Sequence, residues 1–252
     1  MNIQYCSDLH IEFPENKSFL KENPVQPVGD VLIIAGDLVP FAVLEKHNDF
    51  FKFCADNFSE TYWIPGNHEY YGFDLTLKSG SFHEKIRSNV HLLNNKVIDF
   101  DELTLIFTTL WSKINPAHQW DVERGMNDFR VIKYGKYRLT ADRINNLHDE
   151  NMQFLTKALT ENKENSSIVV THHVPTFQNY PPQYRGSTLN DAFGVELTDF
   201  IEEYAPNYWI YGHHHHNTPT FKIGNTSLMT NQLGYVHIGE HLGFRNDCVL
   251  KI

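Results

Sequence analysis

The sequence predicts an α/β fold whose reactive groups collect at the carboxyl ends of its strands. Short apolar runs of strand length alternate with stretches of helical period. Five such runs are each followed at once by a polar cluster, and ligands in open α/β sheets gather at strand carboxyl ends. Histidine is also concentrated: of 15 in the chain, eight fall in four short stretches, all inside those clusters.

Ile3 to Cys6 reads as the first strand and delivers Ser7-Asp8-Leu9-His10. A loop through Pro24 and Pro27 leads to Val31-Leu32-Ile33-Ile34-Ala35, a continuous apolar run suited to a strand covered on both faces, which ends at Gly36-Asp37. Apolar positions from Val43 to Phe58 recur at helical spacing and predict a helix over about 42–58. Tyr62-Trp63-Ile64 follows as a strand and opens into Pro65-Gly66-Asn67-His68-Glu69. Leu92-Leu93 and Val97-Ile98 read as short strands and Leu103 to Leu110 as another, with Asp101-Glu102 as a hairpin turn between the last two, and a second sheet is expected to begin about here. Residues 111–149 form a polar, irregular excursion on the substrate side of a single 1–252 domain. A helix is expected at Asn151 to Leu159 and a strand at Ile168-Val169-Val170, ending in Thr171-His172-His173. Gly194 to Tyr204 reads as a helix and Tyr208 to Tyr211 as a strand, ending in Gly212 and the run His213 to His216. Short strands at 220–223, 227–230 and 248–252 close the chain.

Composition narrows the function. With 21 Lys+Arg against 31 Asp+Glu the formal charge is -10, which repels a long phosphate backbone, so duplex nucleic acid is not an expected partner. No run of about 18 apolar residues is present, and the first residues lack the charged start and apolar middle of a signal peptide, so the expectation is cytoplasmic, without membrane. Cys6, Cys54 and Cys248 are far apart, lie in apolar segments and read as reduced, buried thiols. Oligomeric state is left open.

The clusters offer Asp8, His10, Asp37, Asn67, His172, His213 and His215, all oxygen or imidazole donors without a thiolate. That set suits Mn, Fe, Zn or similar divalent ions. Seven donors exceed the need of one ion, whereas two ions sharing a carboxylate would use them and keep positions open. Two ions carry +4 and two ionised aspartates return -2, leaving charge to acidify a water and stabilise phosphate oxygens. In Asp8-x-His10 and His213-x-His215, residues two apart in extended chain point the same way, so each pair is expected to reach one centre.

The series DLH, GDL, GNHE, THH and GHHH, in this order, resembles the calcineurin-like metallophosphoesterase superfamily pattern DxH, GDxx, GNH(E/D), H and GHxH over Asp8 to His215. Thr109 to Ser112, Met126 to Arg130 and Asn231 to Tyr235 are similar to phrases of a bacterial branch of small cytoplasmic phosphohydrolases. The resemblance implies a four-layer α/β/β/α sandwich of two mixed sheets with a dinuclear metal site at strand carboxyl ends. It implies that Asp8, His10 and His215 hold one metal, that Asn67, His172 and His213 hold the other, and that Asp37 bridges. His68 would protonate the leaving group or bind a phosphate oxygen, with Glu69 orienting it. Either member of the His172-His173 doublet can ligate, and the strand-then-His phrasing favours His172.

The activity implied is hydrolysis of a small phosphate ester by metal-activated hydroxide, a diester ahead of a monoester, with nucleotides among the candidates. A nuclease and a catalytically silent scaffold are the alternatives; the second predicts missing ligands, and none is missing. Arg130, His148, His214 and Tyr235 are the candidate substrate contacts, and Trp111 is weighed between stacking on substrate and core packing.

Overall fold

The apolar runs become central strands because their alternate side chains enter two different cores. In the computed structural model, which describes residues 1–100 and 102–252, Val31 and Ile33 face one core while Leu32 and Ile34 face another. The same alternation sends Ile168 and Val170 one way and Val169 the other. This is the period of two expected of a strand covered on both sides.

In chain order the strands are β1 (Asn2–Cys6), β2 (Val31–Ile34), β3 (Glu60–Trp63), β4 (Phe82–Arg87), β5 (Val90–Asn94), β6 (Lys96–Phe100) and β7 (Leu103–Phe107). They continue with β8 (Lys133–Tyr134), β9 (Tyr137–Arg138), β10 (Ser166–Val170), β11 (Tyr208–Ile210), β12 (Phe221–Ile223), β13 (Thr226–Met229) and β14 (Val249–Lys251). One six-stranded sheet has the order β14-β1-β2-β3-β5-β4 and the other β12-β13-β11-β10-β7-β6. Each is mixed in the same manner: four parallel central strands with an antiparallel strand at either edge. Asp101, half of the expected turn between β6 and β7, lies outside the described residues.

The helices are α1 (Pro14–Glu22), α2 (Asn48–Asn57), α3 (Gln119–Gly125), α4 (Asp128–Val131), α5 (Ala141–Glu161), α6 (Asn190–Phe193) and α7 (Thr198–Tyr204). Phe51 and Cys54 of α2 pack on the outer face of the first sheet with Leu32 and Trp63. Leu155 and Leu159 of α5 and Ile201 of α7 pack on the second with Val169 and Trp209. Ile3, Tyr5, Leu105, Phe107 and Ile210 fill the space between the sheets, which gives the expected four-layer α/β/β/α sandwich. Each fully buried side chain of this size contributes about 1.5–3 kcal/mol relative to exposure.

Several elements differ from expectation for local reasons. The helix expected over 42–58 is a 3-10 segment at Phe41–His47 followed by α2, with His47 out of helical geometry between them. α1 precedes the proline loop and was not expected, because its sequence is mostly polar; Pro14 opens it, and Phe19 and Leu20 pack inward. α5 begins at Ala141 rather than Asn151, where the Thr140 hydroxyl accepts from Arg143 N as an N-cap. α7 starts at Thr198 because Gly194 is extended and ends α6. The stretch 111–149 is ordered by a hydrophobic cluster that it shares with Tyr70, Leu75 and Ala192, in which Trp111, Val122, Phe129, Ile132, Leu139 and Ile144 are buried. Trp111 is therefore a packing residue. Cys6 and Cys54 are buried and Cys248 is partly buried, all as free thiols. Among the described residues no helix is long and apolar enough to cross a membrane.

Candidate metal centre

Asp8, His10, Asp37, Asn67, His172 and His213 are buried, and His215 nearly so, although they come from five separate segments. β1, β2 and β3 of one sheet and β10 and β11 of the other all end at the same place, so the five clusters converge.

The donors form two groups that share one residue. Asp8, His10, Asp37 and His215 each offer a ligand atom within 4.8 Å of the others, and Asp37, His172 and His213 do the same. The two oxygens of Asp37 point to different groups: Oδ1 lies 3.4 Å from His172 Nε2 and Oδ2 lies 3.7 Å from His10 Nε2. Asn67 Oδ1 is 3.2 Å from His172 Nε2.

The outward nitrogen of each imidazole is tied to an acceptor. His172 Nδ1 meets Ala35 O at 2.9 Å, His215 Nδ1 meets Glu240 Oε2 at 2.7 Å, His10 Nδ1 meets Glu12 Oε1 at 3.4 Å, and His213 Nε2 meets Ala192 O at 3.3 Å. A proton donated there leaves the inward nitrogen as a lone-pair donor. Those inward nitrogens then face one another in pairs, His10 Nε2 with His215 Nε2 and His172 Nε2 with His213 Nδ1, each pair 3.0 Å apart. Two lone pairs at that distance repel unless a cation or a proton lies between them. Donors about 3 Å apart are what an ion with bonds of about 2.1 Å requires, so the donor set fits a first-row divalent metal.

The approach of the strands depends on glycine. A Cβ on Gly66 would lie 2.2 Å from Asp37 Oδ1 and 2.6 Å from His172 Nε2, and one on Gly36 would lie 2.3 Å from His172 Nδ1. Asp8, His10, Asp37, His213 and His215 all have positive φ, between 45° and 79°. This corrects the expectation that Asp8-x-His10 and His213-x-His215 converge as extended chain. Both pairs lie beyond their strands in left-handed turns, a conformation that L side chains avoid and that surrounding contacts must hold. Asp8 supplies such contacts, accepting from His213 N at 3.0 and 3.1 Å.

Of the doublet, His172 reaches the cluster. His173 is buried to one side with Nδ1 3.4 Å from Thr109 O, and burial followed by the neighbouring His172 lowers its pKa to about 3.

Glu69 does not touch His68. Its carboxylate accepts from Asp37 N, Leu38 N, Gly66 N and Trp63 Nε1, at 2.6–3.0 Å, and so ties the β2 and β3 loops together. The group beside His68 is Glu12, whose Oε1 is 3.3 Å from His68 Nδ1, while His68 Nε2 lies 3.1 Å from the Tyr235 hydroxyl. Burial works against a charged His68, but Asp37 and Glu12 outweigh it and hold its pKa above the ordinary value. Glu12 was readable as a carboxylate two residues beyond His10, but nothing local to the motif linked it to His68.

A cavity of about 380 Å³ opens over Asp37, Asn67, His213 and His215, and His68, His214 and Tyr235 line it. His214 is held by Gln232 Nε2 at 2.8 Å and stacks on Tyr180, with ring centroids 5.5 Å apart. Arg130 and His148 are not among the residues that line the cavity: Arg130 is exposed, with its guanidinium donating to Arg124 O and to Asn127 Oδ1, while His148 is buried with Nδ1 2.7 Å from Trp111 O. The residue of that segment that approaches the donors is Asp128, bonded to Asn67 Nδ2 at 3.0 Å and to the Tyr71 hydroxyl at 2.7 Å.

The sequence profile of calcineurin-like phosphoesterases matches residues 1–217. The chain belongs to the calcineurin-like phosphoesterase family. As a member it is a metal-dependent phosphoric ester hydrolase. A relative from Acanthamoeba polyphaga mimivirus, the uncharacterized protein L509, is 30% identical over 265 residues, covering 93% of this chain and 91% of its own. Among solved structures the phosphopantetheinyl hydrolase of Mycobacterium tuberculosis has the same fold, with a TM-score of 0.66 at 16% identity and coverage of 94% of this chain and 90% of that one. This calcineurin-like phosphoesterase therefore shares its architecture with a hydrolase from which its sequence has diverged widely.

Proposed function

We propose that the chain is a dinuclear phosphodiesterase acting on a small phosphorylated molecule, with monoesters as poorer substrates. The observation that carries the reading is the place of Asp37 in two donor groups, in each of which two inward imidazole nitrogens lie 3.0 Å apart. Asp8, His10 and His215 would hold one ion and Asn67, His172 and His213 the other, with Asp37 between them. Two divalent ions would supply Lewis acidity at the phosphate and an acidified water as nucleophile.

The chain's own residues account for the rest. His68, whose pKa Asp37 and Glu12 raise, faces the cavity beside Tyr235 and is placed to give a proton to the departing oxygen. In such a reaction the water oxygen would become bonded to phosphorus and lose its proton to solvent, the ester P–O bond would break, and the leaving oxygen would take the proton of His68. Beyond the donors, His68 and Glu240, the polar side chains of the wall are neutral, Asn127, Ser187 and Asn190 among them, and no lysine or arginine is among the described residues that line it. A diester carries one negative charge where a monoester carries nearly two at neutral pH, so this lining supports the diester.

The test is metal analysis followed by kinetics on bis(p-nitrophenyl) phosphate and p-nitrophenyl phosphate. Two ions per chain and a faster diester reaction are expected. Asp37→Ala should lose metal together with activity, and His68→Ala should keep metal and lose activity. Loaded wild-type protein that hydrolyses neither ester, indistinguishable from the two variants, would remove the proposal.

A further inference from the structure

The cavity wall opposite the metal donors carries information about the organic part of the substrate. Tyr184, at the rim, is 45% exposed, so its ring is open to a bound group. Its ring centroid lies 6.3 Å from that of Tyr180, which in turn stacks on His214 at 5.5 Å and 23°. Three rings thus run from the mouth of the cavity to the segment that bears His213 and His215. Met126 and Leu189 form the apolar counterpart in the same cavity lining. Leu189 reaches its position because residue 125 is glycine: a Cβ there would lie 2.7 Å from Leu189 Cδ2.

The charge of the wall points the same way. Lysine and arginine are missing from the described lining residues, and Glu240, which does line the cavity, adds a carboxylate held by His215 and Tyr235 N. Away from His68 and the metal donors, a second anionic group on the substrate would meet this carboxylate and neutral side chains among the described lining residues. In a partly desolvated cavity it would lose hydration without a compensating partner. An uncharged aromatic group loses little and gains contact with Tyr184 and Tyr180.

We propose that this cavity selects phosphodiesters whose organic substituent is uncharged and aromatic, seated against Tyr180 and Tyr184, and disfavours substituents with a further negative charge. The inference rests on the phosphodiesterase reading above and assigns its substrate class. Nucleoside-like or aryl substituents satisfy it, whereas nucleoside polyphosphates do not.

The experiment uses the full metal-loaded chain and three diesters that share p-nitrophenolate as leaving group: phenyl, methyl and carboxyphenyl p-nitrophenyl phosphate. Because the bond broken is the same, kcat/KM reports the substituent. The phenyl ester should exceed the methyl ester by roughly three- to tenfold, the size of one aromatic contact, and should also exceed the carboxyphenyl ester. Tyr184→Ala, at an exposed position, should abolish the phenyl-over-methyl preference. Ser187→Arg, also exposed, should raise the carboxyphenyl ester relative to the phenyl ester. Equal rates on phenyl and methyl esters, a preference for the carboxyphenyl ester, or selectivity unchanged in both variants overturns the inference while leaving the phosphodiesterase reading intact. Hydrolysis of none of the three at any metal loading overturns both.

Discussion

Asp128 Oδ1 accepts from Asn67 Nδ2 at 3.0 Å, and this bond, with a longer one from the same nitrogen to the Tyr71 hydroxyl, sets which way the Asn67 amide faces. With its nitrogen turned to Asp128, the amide presents Oδ1 to His172, the orientation that the proposed metal ligation by Asn67 would require. The Tyr71 hydroxyl donates to the same Asp128 oxygen at 2.7 Å and fixes the carboxylate in turn. Asp128→Ala is expected to lower metal affinity and kcat by about 10- to 100-fold. Asp128→Asn, which keeps an acceptor oxygen, should recover part of the loss. Metal content after dialysis, read beside kcat, checks this; full occupancy and activity in Asp128→Ala would show that Asn67 orients without it.

Glu12 stands between His10 and His68, 3.4 and 3.3 Å from their Nδ1 atoms. It is one of the groups that raise the His68 pKa. An acid with a raised pKa stays protonated to higher pH, so activity that depends on it is lost as pH rises through that value. Glu12→Gln should therefore move the alkaline limb of the kcat profile to lower pH and reduce kcat more than it changes KM. An unmoved limb would separate Glu12 from the acid.

Gly66 has no room for a methyl group. Its Cβ would collide with Asp37 Oδ1 and with the His172 ring, both of which are fixed by other bonds. Gly66→Ala should destabilise the fold by about 1–3 kcal/mol through overpacking and displace a donor. Thermal unfolding and metal titration measure the two effects. A variant with wild-type stability and full metal content would show that the loop yields freely.

Metal uptake should release protons. Without metal, Asp37 and other partners outweigh burial and raise His172 to about 9, and Asp8 and Glu240 do the same for His215, to about 10. Both rings then hold a proton at pH 7 that a metal must displace. Apparent affinity should accordingly rise with pH through neutrality and level off towards pH 9–10. Calorimetry in two buffers of different ionisation enthalpy counts the protons; no release at pH 7 would contradict these assignments.

What the sequence determined by itself was the donor inventory and its place on the fold. Apolar runs such as Val31 to Ile34 have one comfortable arrangement, a strand between two cores, and the polar clusters follow them directly in the chain. The convergence of Asp8, His10, Asp37, Asn67, His172, His213 and His215 follows from strand ends meeting, and so was legible. What only the tertiary structure decided was everything that depends on which side chain meets which across segments. The left-handed turns at Asp8 and His213, Glu12 rather than Glu69 beside His68, Asp128 rather than Arg130 near the donors, and the burial of His148 against Trp111 are of this kind. The physical reason is one of range: strand period and turn chemistry act within a few residues, whereas a carboxylate's partner is chosen by packing between segments as far apart as residues 67 and 128.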